Sequence, residues 1–275
     1  MKSRTLVSII IPTYNNAESI DKCLFSITNQ TYKAIEIVVV DNNSSDNTKM
    51  IAKKYTNLVF NGGPERSAQR NLGAKKSKGN YLLFVDSDMA LTEKVVEECM
   101  KKILSKKYIC ALVIPEKSIG IGYWAQCKAL ERSYYVGINW IEAARLFNRD
   151  IFFQLNGYDE KNTGTEDYDL PQRLIKLKGK DSVNRIEEYI VHNEGKLSLT
   201  KALSKKLYYG KGLDRYINTN TIAFKRQSNI FARYILFFSN PKKLLVNPLV
   251  SVGMIFMKTC EFIAGGLGYC LRRCL

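Results

Sequence analysis

The chain has no Cys-Xaa-Xaa-Cys pair, a single histidine, no internal repeat and no low-complexity tract. Its seven cysteines are scattered and odd in number, which argues against a disulfide scaffold or a zinc cluster and for a reducing compartment. A secretory leader is not expected, because the apolar run Leu6 to Ile11 is too short for one and meets Pro12. The chain is therefore expected to begin in the cytoplasm, with a strand. Acidic residues are scarce: 26 face 42 basic ones, a net charge of +16. That bias points to a polyanionic partner: nucleic acid, an anionic membrane surface or phosphorylated substrates. The 275 residues, 45% of them hydrophobic, are enough for one large domain, or one with an appendage.

Apolar runs rich in β-branched residues recur at Leu6–Ile11, Ile35–Val40 and Tyr81–Val85, and each reads as a buried strand. Helical spacing separates them, over Asn16–Asn29, Met50–Tyr55 and Ser67–Ser77. Strands that are apolar on both faces and alternate with helices imply a mostly parallel sheet flanked by helices, an α/β domain. Further on, Leu146–Phe153 reads as a strand and Glu166–Lys178 as a helix. In such sheets ligands bind beyond the carboxyl ends of the strands. The polar strand ends Pro12-Thr13-Tyr14, Asp41-Asn42 and Asp86-Ser87-Asp88 are thus expected to converge on one crevice.

The sheet pattern stops after Val191-His192, dividing the chain into an α/β part, residues 1–195, and a helical part, residues 196–275. In the second part, between Lys196 and Lys243, only Asp214 opposes a run of lysines and arginines interleaved with aromatic rings. A solvated basic face is the plain reading; the mixture also fits a boundary between water and lipid headgroups. Leu249–Leu271 is long enough to cross a membrane, yet Lys258 and Glu261 are costly at its centre. Ser251, Lys258, Gly265 and Arg272 recur every seven residues on one narrow face. An amphipathic helix or hairpin in the interface fits this better than a free span; a helix docked on protein is the third reading. Cys270 and Cys274, beside Arg272 and Arg273, are weak candidates for acylation.

Several residues carry chemistry. Asp86 and Asp88 straddle one residue at a strand end, where both reach a divalent cation; Mg²⁺ and Mn²⁺ take such oxygen ligands and share them with a diphosphate. Asp41 ends another strand, where its carboxylate can accept from a base or ribose. Arg70 lies on the helix before the metal strand, within reach of a phosphate. Glu166 and Asp167 open a helix, so one is either a cap or the general base for an acceptor hydroxyl. His192 is either an ordinary packed residue or a ligand to metal or diphosphate. Gly120–Arg149, with Tyr123, Trp124, Glu131, Arg132, Tyr134, Tyr135 and Trp140, is either an acceptor surface or helical packing.

Taken in order, Val7-Ser-Ile-Ile-Ile-Pro-Thr-Tyr-Asn15, Ile37–Thr48, Arg70-Asn-Leu-Gly73, Gly79–Asp88, Gly157–Glu160 and Glu166–Leu174 resemble a family 2 glycosyltransferase of the GT-A fold. The resemblance covers about residues 5 to 195. It implies that Pro12, Tyr14 and Asp41 line a nucleotide pocket and that Arg70 faces the ribose or diphosphate. By the same resemblance Asp86 helps hold the nucleotide, while Asp88 and His192 bind Mn²⁺ or Mg²⁺. Asp167 is implied as the base, positioned by Glu166. The family inverts the anomeric centre. Leu170-Pro-Gln-Arg-Leu174 differs from the Gln-Xaa-Xaa-Arg-Trp of processive synthases, so one sugar per acceptor is expected.

The resulting expectation is a metal-dependent hexosyltransferase. It would use a UDP- or GDP-sugar and a lipid-linked acceptor, polyprenyl phosphate or a lipid-linked glycan. Its place is the cytoplasmic face of the cell membrane, bound to the anionic surface as a peripheral or monotopic protein. A soluble or protein-linked glycan is the alternative acceptor. Nucleic acid is not expected as a partner. A nucleotidyltransferase would need a Gly- and Arg-rich loop after the first strand, where this chain has Thr13-Tyr-Asn-Asn16.

Overall fold

The structure, a computed structural model, describes residues 5–273. The chain forms two compact units. The first comprises the residues up to 115, with 143–160 and 166–191; the second comprises 116–142, 161–165 and the residues from 192 on.

In chain order the first unit begins β1 (Val7–Thr13), α1 (Ala17–Thr28), β2 (Ile35–Asp41), α2 (Thr48–Ala52) and β3 (Val59–Asn61). It continues through α3 (Arg66–Lys76), β4 (Tyr81–Phe84), β5 (Met89–Leu91), α4 (Val95–Ser105) and β6 (Ala111–Val113). The second unit then takes β7 (Glu116–Ile121) and α5 (Tyr123–Ser133). The first unit resumes with β8 (Ala144–Asn148), α6 (Arg149–Gln154), α7 (Glu166–Lys178) and β9 (Val183–Arg185). Next comes β10 (Ile190–Lys196), whose first two residues belong to the first unit. The helices α8 (Leu199–Gly210), α9 (Leu213–Thr219), α10 (Thr221–Gln227), α11 (Ile230–Phe238), α12 (Pro241–Val246) and α13 (Pro248–Arg273) follow.

The first unit is built on a seven-stranded sheet of order β3-β2-β1-β4-β8-β6-β9. The β1–β2, β1–β4, β2–β3 and β6–β9 pairs are parallel; β8 alone runs antiparallel to its neighbours β4 and β6. Alternation along the strands feeds two cores. Val7, Ile9, Ile11, Val39 and Leu83 pack on one face, with Ile10, Val38, Val40, Leu82 and Phe84 on the other. Each such buried side chain contributes about 1.5–3 kcal/mol, so the strands that end at the crevice are rigidly set. The expected α/β fold with a mostly parallel sheet is the one observed.

The run 146–153 departs from expectation. It is a strand only as far as Asn148, whose side chain accepts from the Ile151 N–H at 3.1 Å and caps α6. That capping bond ends the strand at the charged pair Arg149-Asp150, so the apolar Ile151, Phe152 and Phe153 beyond it are helical.

In the second unit β7 pairs with β10. A third core gathers Cys127 and Tyr134 with Phe237, Val250, Met254 and Met257. Residues 116–142 thus pack with the C-terminal helices, whereas the sequence pattern assigns them to the α/β part. The tail is one helix rather than a hairpin, and its Lys258 and Glu261 are buried. Cys270 is exposed; Cys274 lies outside the described residues.

Candidate active site

The carboxyl end of β1 and the segment after β4 form the walls of a cleft of about 320 Å³. Pro12, Thr13, Tyr14, Asn16, Arg66, Gln69, Asp86, Ser87 and Asp88 line it, all in the first unit. Buried Gln69 fixes the rim, donating from Nε2 to the carbonyls of Thr13 and Val40, each at 2.9 Å. Asn16 donates to Ser87 Oγ at 2.7 Å, tying the loop after β1 to the loop after β4. Asn15 stands at φ +43° and accepts from the Ser45 N–H at 2.8 Å, so the loops after β1 and β2 hold one another. The Tyr14 ring is 59% exposed and offers a flat apolar face to a stacking ligand.

Behind this cleft lies an ion network. Arg70, on α3, is fully buried. It donates from Nη2 to Asp86 Oδ1 and from Nη1 to Asp167 Oδ1, both at 2.7 Å. Its guanidinium sits 5.2 Å from the Tyr158 ring centroid, a cation–π contact that compensates part of its desolvation. One turn earlier on α3, Arg66 approaches Asp86 Oδ2 at 3.7 Å and Glu166 Oε1 at 3.9 Å. Arg145 on β8 adds a third cation, 3.9 Å from Asp86. Burial alone would raise the Asp86 carboxyl; Arg70, Arg66 and Arg145 outweigh it and hold it well below the ordinary carboxylate range.

Glu166 and Asp167 differ sharply. The Glu166 side chain is 4% exposed, and its Oε2 is buried with no hydrogen-bond partner. Burial raises its carboxyl above the usual value and the neighbouring Asp167 adds to this, while Arg70 and Arg66 offset only part. The Asp167 side chain is 32% exposed and stays accessible while its other side is held by Arg70. Asn71 fastens the segment before α7: it donates to the Tyr158 carbonyl and to Glu160, and accepts from the Tyr158 N–H, all at 2.9 Å.

Of the residues singled out in the sequence, Pro12, Tyr14, Asp86 and Asp88 meet at the cleft. Arg70, Asp86, Glu166 and Asp167 meet in the ion network; Arg70 therefore faces carboxylates rather than an open anion site. Asp41 is not part of the cleft lining. It is fully buried, accepting from the Ser44 N–H at 2.7 Å and the Ser44 hydroxyl at 2.5 Å, with Lys49 at 3.5 Å. His192 belongs to the second unit, where its Nδ1 lies 3.5 Å from Glu116 and 3.9 Å from Glu194. Both carboxylates are also paired with Arg132. Within Gly120–Arg149, Glu131 and Tyr134 are buried, as helical packing requires. Sequence reasoning passed over Arg66, Gln69 and Arg145. The one available signal was the i, i+4 spacing of Arg66 and Arg70, which puts both on one helix face.

Among the described residues no group of three His, Cys, Asp or Glu side chains is arranged to hold a metal ion. The donor set still fits Mg²⁺ or Mn²⁺ used with a diphosphate. Such ions are often held by one or two carboxylates and the substrate's own oxygens, and Asp88 stands on the cleft wall beside Asp86.

Residues 8–165 match glycosyl transferase family 2. Glycosyltransferase GlyA of Streptococcus pneumoniae is 29% identical over 236 residues, covering 82% of this chain and 31% of that protein. The poly(ribitol-phosphate) β-N-acetylglucosaminyltransferase TarP of Staphylococcus aureus is 40% identical over 102 residues, 34% of this chain and 31% of that protein. The chain thus spans about a third of the length of these relatives. Mannosyltransferase PcManGT from Pyrobaculum calidifontis, solved in complex with GDP-Man and Mn²⁺, superposes with a TM-score of 0.65 at 15% identity. That match covers 98% of this chain and 88% of the other. The fold is GT-A-like, and the chain belongs to glycosyl transferase family 2.

Proposed function

We propose that the chain is an inverting, metal-dependent hexosyltransferase that moves one sugar from a UDP- or GDP-sugar to a lipid-linked acceptor at the cytoplasmic membrane face. The acceptor class is a polyprenyl phosphate or a lipid-linked glycan. The observation that carries the donor half is the cleft, where Tyr14, Arg66, Asp86 and Asp88 gather around about 320 Å³. Tyr14 and Pro12 form the floor for a base, and Arg66, 40% exposed, offers charge to a diphosphate. Asp88 would hold the divalent ion, which when bound neutralises the departing diphosphate.

Asp167 is the base in this reading, because its carboxylate is the more accessible of the pair. It takes the proton from the acceptor hydroxyl as that oxygen bonds to the anomeric carbon. The bond from that carbon to the diphosphate breaks on the opposite face. Arg70 holds Asp167 and Asp86 at fixed spacing, and Glu166 positions Asp167 from the buried side.

A second acceptor reading, a soluble or protein-linked glycan, gains support from the relative that acts on poly(ribitol phosphate), a phosphate-rich polymer, and from the chain's own +16 charge. The test is transfer of radiolabelled sugar from each nucleotide-sugar, with solvent-extracted lipids in one arm and water-soluble glycans in the other. Label entering the lipid arm supports the first reading. Label confined to the soluble arm refutes it and favours the second.

A further inference from the structure

The longest helix is turned inside out. On α13 the charged side chains Lys258 and Glu261 face inward, 8% and 4% exposed. They close a square of ion pairs with Lys128 and Glu131 of α5: Lys128 to Glu131 and Glu261 at 2.6 Å, Lys258 to Glu131 at 2.7 Å and to Glu261 at 3.2 Å. The outward face carries Leu249, Val252, Phe256, Ile263, Leu267 and Leu271, each between 48% and 76% exposed. At about 100° per residue these six fall within roughly 100° of arc. On α11, Phe231, Ile235 and Phe238 are exposed at i, i+4 and i+7 spacing. Helices that face water carry the opposite pattern, apolar in and charged out.

We propose that α13, together with α11, lies lengthwise in one leaflet of an anionic bilayer, its outward face among the acyl chains. The inference rests on the membrane reading above and names the residues that enter the lipid. At about 1.5 Å per residue the 26-residue helix is about 39 Å long, enough to cross a bilayer. A crossing helix would meet lipid all round, whereas the inward face of α13 is occupied by α5 and α8. A Cβ on Gly268 would lie 2.1 Å from the Leu207 carbonyl oxygen, and one on Gly210 2.3 Å from the Gly265 oxygen, so α8 and α13 touch backbone to backbone. Small residues permit that closeness, and it leaves only one side of α13 for lipid. Charge favours a bilayer over a second copy of this chain as the occupant. Lys225, Arg226 and Lys242 are exposed on α10 and α12, the helices on either side of α11 in the chain, and Asp214 is the one acidic residue between Lys196 and Lys243. Such a surface repels its own copy and attracts anionic headgroups.

The experiment is vesicle flotation with the full chain and mixed phosphatidylglycerol–phosphatidylcholine vesicles. The comparison is the combined variant Phe256→Ser, Ile263→Ser, Leu267→Ser, with thermal unfolding followed by circular dichroism. The native chain is expected to float. The variant is expected to bind at least about a hundred-fold more weakly at an unchanged melting temperature. If the combined variant fails to fold, the single change Leu267→Trp carries the test: its fluorescence should be quenched by bromine atoms placed mid-chain in the lipid. Equal flotation of native and variant, or a bound but unquenched Trp, would overturn the proposal. So would a native chain that ignores vesicles but forms dimers broken by the same substitutions. Vesicle insertion together with transfer only to a soluble glycan would support the insertion and overturn the lipid-linked acceptor.

Discussion

A guanidinium cut off from solvent and bonded at 2.7 Å to two carboxylates cannot be removed without leaving charge behind. Arg70→Ala is expected to cost about 3 kcal/mol or more of stability, because Asp86 keeps a charge that the fold no longer matches. Arg70→Lys should retain more stability and still lose most sugar transfer, since an ammonium cannot bridge two carboxylates as a fork does. Chemical unfolding and initial rates on the two variants check this. Glu166 makes the opposite prediction for stability. Its folded pKa is raised, so the folded state binds the proton more tightly than the unfolded chain does. Stability is therefore lost as pH rises from the unfolded value through the raised one. Glu166→Gln should melt higher than the native protein near neutral pH, an advantage that shrinks to nothing in acid, while transfer falls. Equal melting temperatures at all pH values would contradict it. At this scale Asp86, Asp88, Glu166 and Asp167 are legible in the sequence because they stand at strand or helix ends. Arg66 and Arg145 are not, since their reach depends on helix phase and on an antiparallel strand. Asp41 ends β2, and the turn after it supplies two donors from Ser44 that hold its carboxylate, a local detail the strand pattern does not carry.

Periodicity carries most of the first unit's elements. Runs such as Val7–Ile11 are apolar on both faces because two cores flank the sheet. It fails at 149–154, where Ile151, Phe152 and Phe153 look like more strand but a capping asparagine and the charged Arg149-Asp150 start a helix. On α13 the spacing shows an amphipathic helix, while which face turns inward is decided by Lys128 and Glu131, over a hundred residues away in sequence. The close approach of α13 to α8 gives a paired prediction. Gly268→Ala places a methyl against the Leu207 backbone and should cost about 1–3 kcal/mol. Gly266→Ala, exposed and with nothing near its new methyl, should be neutral or stabilise by up to about 1 kcal/mol. Thermal melts of the two variants decide it; equal losses would contradict the packing described.

Across the whole molecule, the two compact units interleave along the chain: 116–142 and 161–165 cluster with the residues from 192 on, whereas the sequence pattern is read as a single division at residue 195. No local pattern announces that interleaving, because it depends on which core accepts Cys127 and Tyr134. The central claim is that the cleft of the first unit binds a nucleoside diphosphate together with a divalent ion. The most direct measurement is calorimetry of UDP and GDP with and without Mn²⁺, on the native chain and on Asp88→Asn. One nucleotide is expected to bind in a metal-dependent way, with that dependence lost in the variant while its melting temperature is kept. Binding of neither nucleotide under any condition, or equal metal-dependent binding by Asp88→Asn, would contradict the account.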